Sequence, residues 1–83
     1  MKKYMEYCEI MQVGANYPYV SFGTDSYGNS IPLRGENGKE LFFGSCIDVA
    51  NYLSKNYGWY LIQIYHIECE VHWIMGKEKC VEN

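Results

Sequence analysis

The sequence predicts an α+β domain in which an antiparallel sheet of about five strands carries one helix on one of its faces. Short segments rich in Tyr, Ile, Val and Met are separated by clusters of turn-forming residues, which is typical of strands. One further stretch places its apolar residues at helical spacing. The chain has 83 residues, of which 48% are hydrophobic, so we expect a single domain, 1–83, with a modest core. The predicted order of elements is β-β-β-β-α-β-β.

The first two predicted strands lie at the start of the chain. Tyr4 to Val13 carries apolar residues on both of its faces, which favours a position inside the sheet, and Gly14 ends it. Tyr17 to Phe22 is predicted to be the second strand. Pro18 lies near its start, where a missing backbone donor does least harm to the ladder.

Two shorter strands are predicted before the helix. Gly23 to Ser30 is dense in turn-forming residues and is predicted to be a loop. The strands Ile31–Arg34 and Lys39–Phe43 follow it, joined through Asn37-Gly38, because Asn-Gly between apolar segments is a strong hairpin signal. Pro32 places the first of these strands at an edge of the sheet.

One helix is predicted between Ser45 and Gly58. Ser45 is a suitable N-cap, and the carboxylate of Asp48 favours the positive end of the helix. Gly58 is predicted to end the helix because a residue without a Cβ easily adopts the left-handed conformation of a C-cap. The predicted apolar stripe consists of Cys46, Val49, Ala50, Leu53 and Tyr57.

The last two predicted strands form a hairpin. Trp59–Ile67 and Glu70–Met75 are separated by Glu68-Cys69, a turn without glycine. We predict a two-residue loop, because it builds the larger continuous core, whereas a three-residue loop would place His66 opposite His72. The residues predicted to face the helix are Ile62, Ile64, Val71, Trp73 and Met75.

The sheet face away from the helix is predicted to be an interface. One helix covers only one face of such a sheet, and the other face also carries apolar side chains. Nine residues of the chain are Tyr, a side chain that protein interfaces use for large amphipathic contacts. We expect a homo-oligomer, with a dimer as first choice, or binding to another protein. The predicted interface residues are Leu61, Gln63, Tyr65, Ile67 and Ile74.

An alternative reading is a metal- or small-ligand-binding domain that uses the last hairpin. The candidate metal ligands are His66, Cys69 and His72, because imidazole nitrogens and thiolates bind divalent metals. The two histidines become neighbours only with the three-residue loop, and with the two-residue loop they point to opposite faces. The preferred reading requires no cofactor.

Aromatic residues near the second strand form another candidate site. Tyr17, Tyr19 and Tyr27 are predicted to form a platform for a protein or for stacking on a sugar. The alternative is that Tyr19 packs into the core and Tyr27 is a half-covered loop residue.

The middle of the chain carries a series of motifs. They are Asn37-Gly38-Lys39, then F-x-S at Phe43-Gly44-Ser45, D-x-x-N-Y at Asp48 to Tyr52, and Gly58-Trp59. Over residues 37–77 the chain resembles a small domain that recurs in gut Bacteroidetes, from whose usual pattern it departs at Ala50 and Tyr60. The resemblance implies a fold and a bacterial origin, but it implies no activity because that family has none assigned.

Charge and composition exclude several classes of function. The net charge of −3 and the pI of about 5.2 argue against a nucleic-acid-binding protein, which needs a basic face. No apolar run approaches the roughly 18 residues of a membrane helix. We do not expect an enzyme, because a chain of this size rarely encloses a cleft of several hundred Å³.

The cysteines and the first residues predict a cytoplasmic protein. Glu6 and Glu9 lie where a signal peptide would be apolar, so we expect no signal peptide. The four cysteines form no C-x-x-C pair and are expected to be reduced thiols. These residues are Cys8, Cys46, Cys69 and Cys80.

Overall fold

A computed structural model describes residues 2–23, 35 and 37–81. Its elements are β1 (Lys2–Val13), β2 (Tyr19–Ser21), α1 (Cys46–Tyr57), β3 (Tyr60–Ile67) and β4 (Glu70–Val81). The strands form one antiparallel sheet in the order β2-β1-β4-β3, with α1 on one face. The α+β class with an antiparallel sheet and one helix is therefore confirmed, but the sheet of the described residues has four strands instead of about five.

The hydrophobic core lies between α1 and one face of the sheet. Alternate residues of the two central strands point into it, because successive side chains of a strand lie on opposite faces. Ile10, Val49 and Leu53 are completely buried. The buried core residues are Cys8, Ile10, Val20, Cys46, Val49, Leu53, Trp59 and Met75.

Strand β4 is twice as long as the predicted strand Glu70–Met75. It continues to Val81 because β1 pairs with it along its whole length, beginning at Lys2. The charged segment after Met75 therefore belongs to the sheet, where its side chains form cross-strand ion pairs. These pairs are Lys79–Glu6 at 3.2 Å and Lys3–Glu78 at 3.4 Å.

The strands predicted before the helix are the least accurate part of the prediction. β2 is limited to Tyr19–Ser21, because Pro18 has no backbone donor and the ladder with β1 begins after it. Lys39–Phe43 contains only an isolated bridge at Glu40 instead of a strand. The predicted strand Ile31–Arg34 lies outside the described residues. Gly38 does adopt the left-handed conformation expected of its turn, with φ of 78°.

The predicted helix is confirmed, together with both of its caps. The Ser45 hydroxyl accepts a hydrogen bond from the Asp48 backbone N–H at 3.2 Å. Gly58 has φ of 77°, and its N–H is directed at the Leu53 and Ser54 carbonyls. Tyr57 was predicted to be in the apolar stripe but is exposed, because it lies in the last helical turn and packs edge-on against Tyr52, also on α1. At 12 residues the helix is too short to cross a bilayer, and the described residues contain no other helix.

Replacing Gly58 by alanine is expected to destabilise the fold by about 1 kcal/mol, because a Cβ is unfavourable at positive φ. Urea unfolding followed by far-UV circular dichroism measures this difference. Gly44→Ala is the matched control, since Gly44 does not have positive φ and no heavy atom lies within 4 Å of the position its Cβ would take. Equal destabilisation by the two substitutions would contradict the role assigned to the C-cap.

The last hairpin has the predicted two-residue loop. Ile67 pairs with Glu70, so Glu68 and Cys69 form the turn. Glu68 supplies the positive φ, 53°, that such a tight turn requires and that glycine usually provides. The Gly14 N–H donates a hydrogen bond to the Cys69 carbonyl at 2.9 Å, which ties this turn to the end of β1.

A β-bulge at Ile62 changes which side chains of β3 face the helix. Leu61 pairs with Met75 and Gln63 pairs with Ile74, so Ile62 is an extra residue in the ladder. The prediction is therefore wrong for two residues. Leu61, predicted on the open side, faces the helix layer, and Ile62, predicted under the helix, lies on the other side of the sheet.

The surroundings of these two side chains agree with the register. Leu61 lines a cleft together with Ala50 and Ser54 of α1. Ile62 lies over Gly76, where a Cβ would overlap the Ile62 Cδ1 atom. The bulge thus places the Ile62 side chain over Gly76, the position at which β4 has no side chain.

Candidate interaction surface

The sheet surface opposite α1, which we call the open face, displays large exposed apolar side chains from β1, β2 and β3. Five of them are at least 41% exposed. They are Tyr7 on β1, Tyr19 on β2, and Tyr60, Ile62 and Ile67 on β3. Exposed apolar side chains concentrated on one surface are a feature of protein interaction sites.

Four of the five predicted interface residues lie on the open face. Gln63 and Ile67 are exposed there, and Tyr65 and Ile74 are half-buried. Leu61 is excluded by the bulge.

The open face also includes residues that the sequence analysis missed. Tyr7 is 58% exposed at the middle of a central strand. Met5 lies beside it along β1 and accepts a hydrogen bond through its sulfur from the Tyr60 hydroxyl at 3.5 Å. The signal for both residues was present in the apolar character of β1 on its two faces, but the partner strand could not be identified from local sequence.

A polar network lies within this apolar surface. The Nδ1 atom of His72 contacts Oε1 of Glu9, and the Tyr65 hydroxyl donates a hydrogen bond to the same oxygen at 3.2 Å. The rings of Tyr65 and His72 are stacked, with centroids 4.7 Å apart and planes 3° from parallel. The network joins β1, β3 and β4 through one carboxylate, which fixes the orientation of both rings.

The surroundings of this network raise the pKa of the Tyr65 phenol. Desolvation raises the pKa of Tyr65, and the hydrogen bond to Glu9 and the negative charges of Glu9 and Glu70 raise it further. His72 itself is buried, and its Nε2 atom has no hydrogen-bond partner among the described residues. The Oε2 atom of Glu70 lies 3.7 Å from Nε2.

The structure does not bring the three candidate metal ligands together. His66 lies on the helix side of the sheet, where it lines a cleft with Ile64 and Cys46. His72 lies on the open face, and Cys69 is exposed in the turn. Among residues 2–23, 35 and 37–81, no three His, Cys, Asp or Glu side chains are grouped so that they could hold a metal ion.

Two of the three platform tyrosines lie at one cavity. Tyr17 and Tyr19 line a space of about 230 Å³ whose other walls include Phe42 and Val49. The rings of Tyr17 and Phe42 are 6.0 Å apart. Tyr27 lies outside the described residues.

The chain was compared with protein-family models, with curated proteins and with solved structures, and none of the three comparisons found a match. The open face carries five exposed apolar side chains on one surface of the sheet, and it is the basis of the functional proposal.

Proposed function

We propose that this protein is a non-enzymatic module that self-associates, with a homodimer as the basic unit, through the open face. The observation that carries the proposal is the set of five exposed apolar side chains that the open face presents. Burying such side chains stabilises an assembly by roughly 25 cal/mol for each Å² of apolar surface removed from water.

The size of the open face suits a reversible dimer. Strands of 12, 3, 8 and 12 residues, spaced about 4.8 Å apart and rising about 3.3 Å per residue, cover about 550 Å². Two such faces packed together would bury about 1,100 Å², close to the lower limit of about 1,200 Å² for standard interfaces. We therefore expect an association that depends on protein concentration.

The charges of the open face are compatible with stacking two identical surfaces. Lys3 and Glu78 form an ion pair at one end of the face. Glu9, which lies nearer the middle, already contacts the His72 ring and accepts the Tyr65 hydrogen bond. A second copy placed over the apolar centre would leave Glu9 with these two polar partners, and burying a polar group that keeps its hydrogen bonds costs less than burying one without them.

Tyr7→Lys tests this proposal, because it introduces a charge at the centre of the open face. We expect the variant to remain folded and to form an assembly half the size of that formed by the unmodified protein at the same concentration. Sedimentation velocity and native mass spectrometry measure the assembly, and circular dichroism checks the fold.

Ile47→Lys is the matched control, because Ile47 is equally exposed, at 58%, but lies on α1. We expect this variant to assemble like the unmodified protein. A monomeric unmodified protein, or an assembly of unchanged size in Tyr7→Lys, would contradict the proposal.

A further inference from the structure

The outer edge of β3 is a second uncovered surface, distinct from the open face. β3 is the last strand in the sheet order and pairs only with β4 among the described residues. Its side chains are exposed on both faces of the sheet, with Ile64 at 43% on the helix side and Ile67 at 51% on the open side. An edge strand of this kind presents a row of unpaired backbone donors and acceptors, which a further strand can satisfy.

The sequence of β3 lacks the charged and proline side chains that usually protect an edge from pairing, and its bulge, which is another protecting feature, is confined to the start of the strand. Tyr60–Ile67 contains no charged residue, no proline and no glycine. Natural edge strands usually carry a lysine, a proline or an inward-facing charge that prevents association. The opposite edge of the sheet is different, since β2 has only three residues and offers little length for pairing.

The bulge limits where regular pairing can occur. The irregularity between Leu61 and Gln63 twists the first part of β3, and the turn at Glu68 ends the strand on the other side. The regular segment is therefore 63–67, and Tyr65 is its centre. We call this segment the β3 edge.

We propose that the β3 edge pairs antiparallel with the β3 edge of a second copy, about a two-fold axis at Tyr65, to form a continuous eight-stranded sheet. The proposal goes beyond the stacking of open faces, because it joins the edges of two sheets and not their faces. A protein that uses both contacts would assemble beyond the dimer, and the assembly closes as a tetramer when the two kinds of two-fold axis intersect at right angles.

Side-chain direction supports this register. With Tyr65 opposite Tyr65 of the second copy, Gln63 lies opposite Ile67 on the open side and Ile64 lies opposite His66 on the helix side. A shift of one residue would place open-side residues opposite helix-side residues, which the continuous pleat does not allow. No like charges meet in the proposed register, whereas like charges directly opposite each other would oppose pairing.

The orientation of Tyr65 leaves room at the axis. Its hydroxyl reaches across the His72 ring to Glu9 on β1, two strands inward from the edge. The side chain therefore extends away from the second copy, and the two backbones can approach to the usual spacing of about 4.8 Å.

Hydrogen exchange of the unmodified protein tests the edge contact without any substitution. In an unpaired edge strand, protected and unprotected amides alternate along the chain, because every second N–H points away from β4 and has no hydrogen-bond acceptor. We expect instead that all five amides of residues 63–67 exchange at least 100-fold more slowly than in an unstructured peptide, at concentrations at which the protein is assembled. Alternating protection in the assembled protein would overturn the proposal.

A disulfide cross-link tests the register. Tyr65→Cys, made with Cys69→Ser and Cys80→Ser to remove the exposed native thiols, would place two Cβ atoms about 4.5–5.5 Å apart across the axis. We expect it to form a covalent dimer on mild oxidation. Gln63→Cys in the same background is the control, because its two copies would lie about 13 Å apart and remain unlinked. Equal cross-linking of both variants, or of neither, would overturn the proposal.

Repeating the cross-linking experiment in a protein that also carries Tyr7→Lys tests the edge contact independently of the open-face contact. We expect the Tyr65→Cys dimer to form while the open-face association is lost. If the cross-link does not form, or if amide protection is not uniform, only the proposed edge contact is rejected. If the assembly of Tyr7→Lys is unchanged, only the proposed open-face contact is rejected.

Discussion

Replacing Ile10 by alanine is expected to lower the free energy of unfolding by about 2–5 kcal/mol, the range observed when a buried aliphatic side chain is truncated and leaves a cavity. Ile10 is completely buried. It lies on a central strand, between Val20 of β2 and Trp73 of β4. Neighbours on both sides are fixed by backbone ladders, so the cavity cannot collapse easily and the loss should fall in the upper part of the range.

The loss is large for a chain of 83 residues, whose total stability is expected to be about 4–12 kcal/mol. Urea unfolding monitored by tryptophan fluorescence measures it, because Trp59 and Trp73 both pack in or against the core. Ile47→Ala is the control, since Ile47 is exposed and its truncation should change stability by less than about 1 kcal/mol. Similar losses in the two variants would show that the core is not placed as described.

The four thiols are expected to differ by orders of magnitude in their rates of alkylation. Burial raises the pKa of Cys8 to about 12 from an ordinary value of 9.0, although the nearby charge of Lys77 lowers it in part. Only the thiolate is nucleophilic, so a three-unit rise reduces the reactive fraction at pH 8 about 1,000-fold. Burial raises the pKa of Cys46 as well. Cys69 and Cys80 are exposed.

Timed labelling with iodoacetamide, followed by peptide mass spectrometry, distinguishes the two classes. We expect Cys69 and Cys80 to be labelled first, and Cys8 and Cys46 to react only slowly. The Cys8 rate should rise with pH beyond pH 9, because its folded-state pKa lies about three units higher. In urea all four thiols should react at similar rates. Fast labelling of Cys8 in the folded protein would contradict its burial.

The sequence was sufficient for features that depend on local chemistry. The helix could be predicted from Ser45 to Gly58, because capping and helical periodicity involve residues close in sequence. The hairpin register followed from the requirement that one face of β3 and β4 meet the helix. From these features it could be predicted correctly that Gln63, Tyr65 and Ile67 lie on the side of the sheet away from the helix.

The remaining features depend on contacts distant in sequence. The extension of β4 to Val81 depends on pairing with Lys2 and its neighbours, so its charged segment looked like an unpaired tail. The bulge at Ile62 depends on how β3 fits over Gly76, and no local signal distinguishes Ile62 from Leu61. The contact between Glu9 and His72 likewise requires the register of β1 against β4, which local sequence does not reveal.

The pairing of β1 with β4 also has a consequence for folding during synthesis. The two strands at the centre of the sheet are the first and the last of the described elements. While the ribosome adds the intervening residues, at about 5–20 residues per second, β1 has no long partner among the described residues, since β2 pairs with only three of its residues. Helix α1 forms from local contacts and has no completed sheet on which to pack until β4 emerges. For several seconds the nascent chain therefore exposes a strand that is apolar on both faces, which is the kind of segment that chaperones bind.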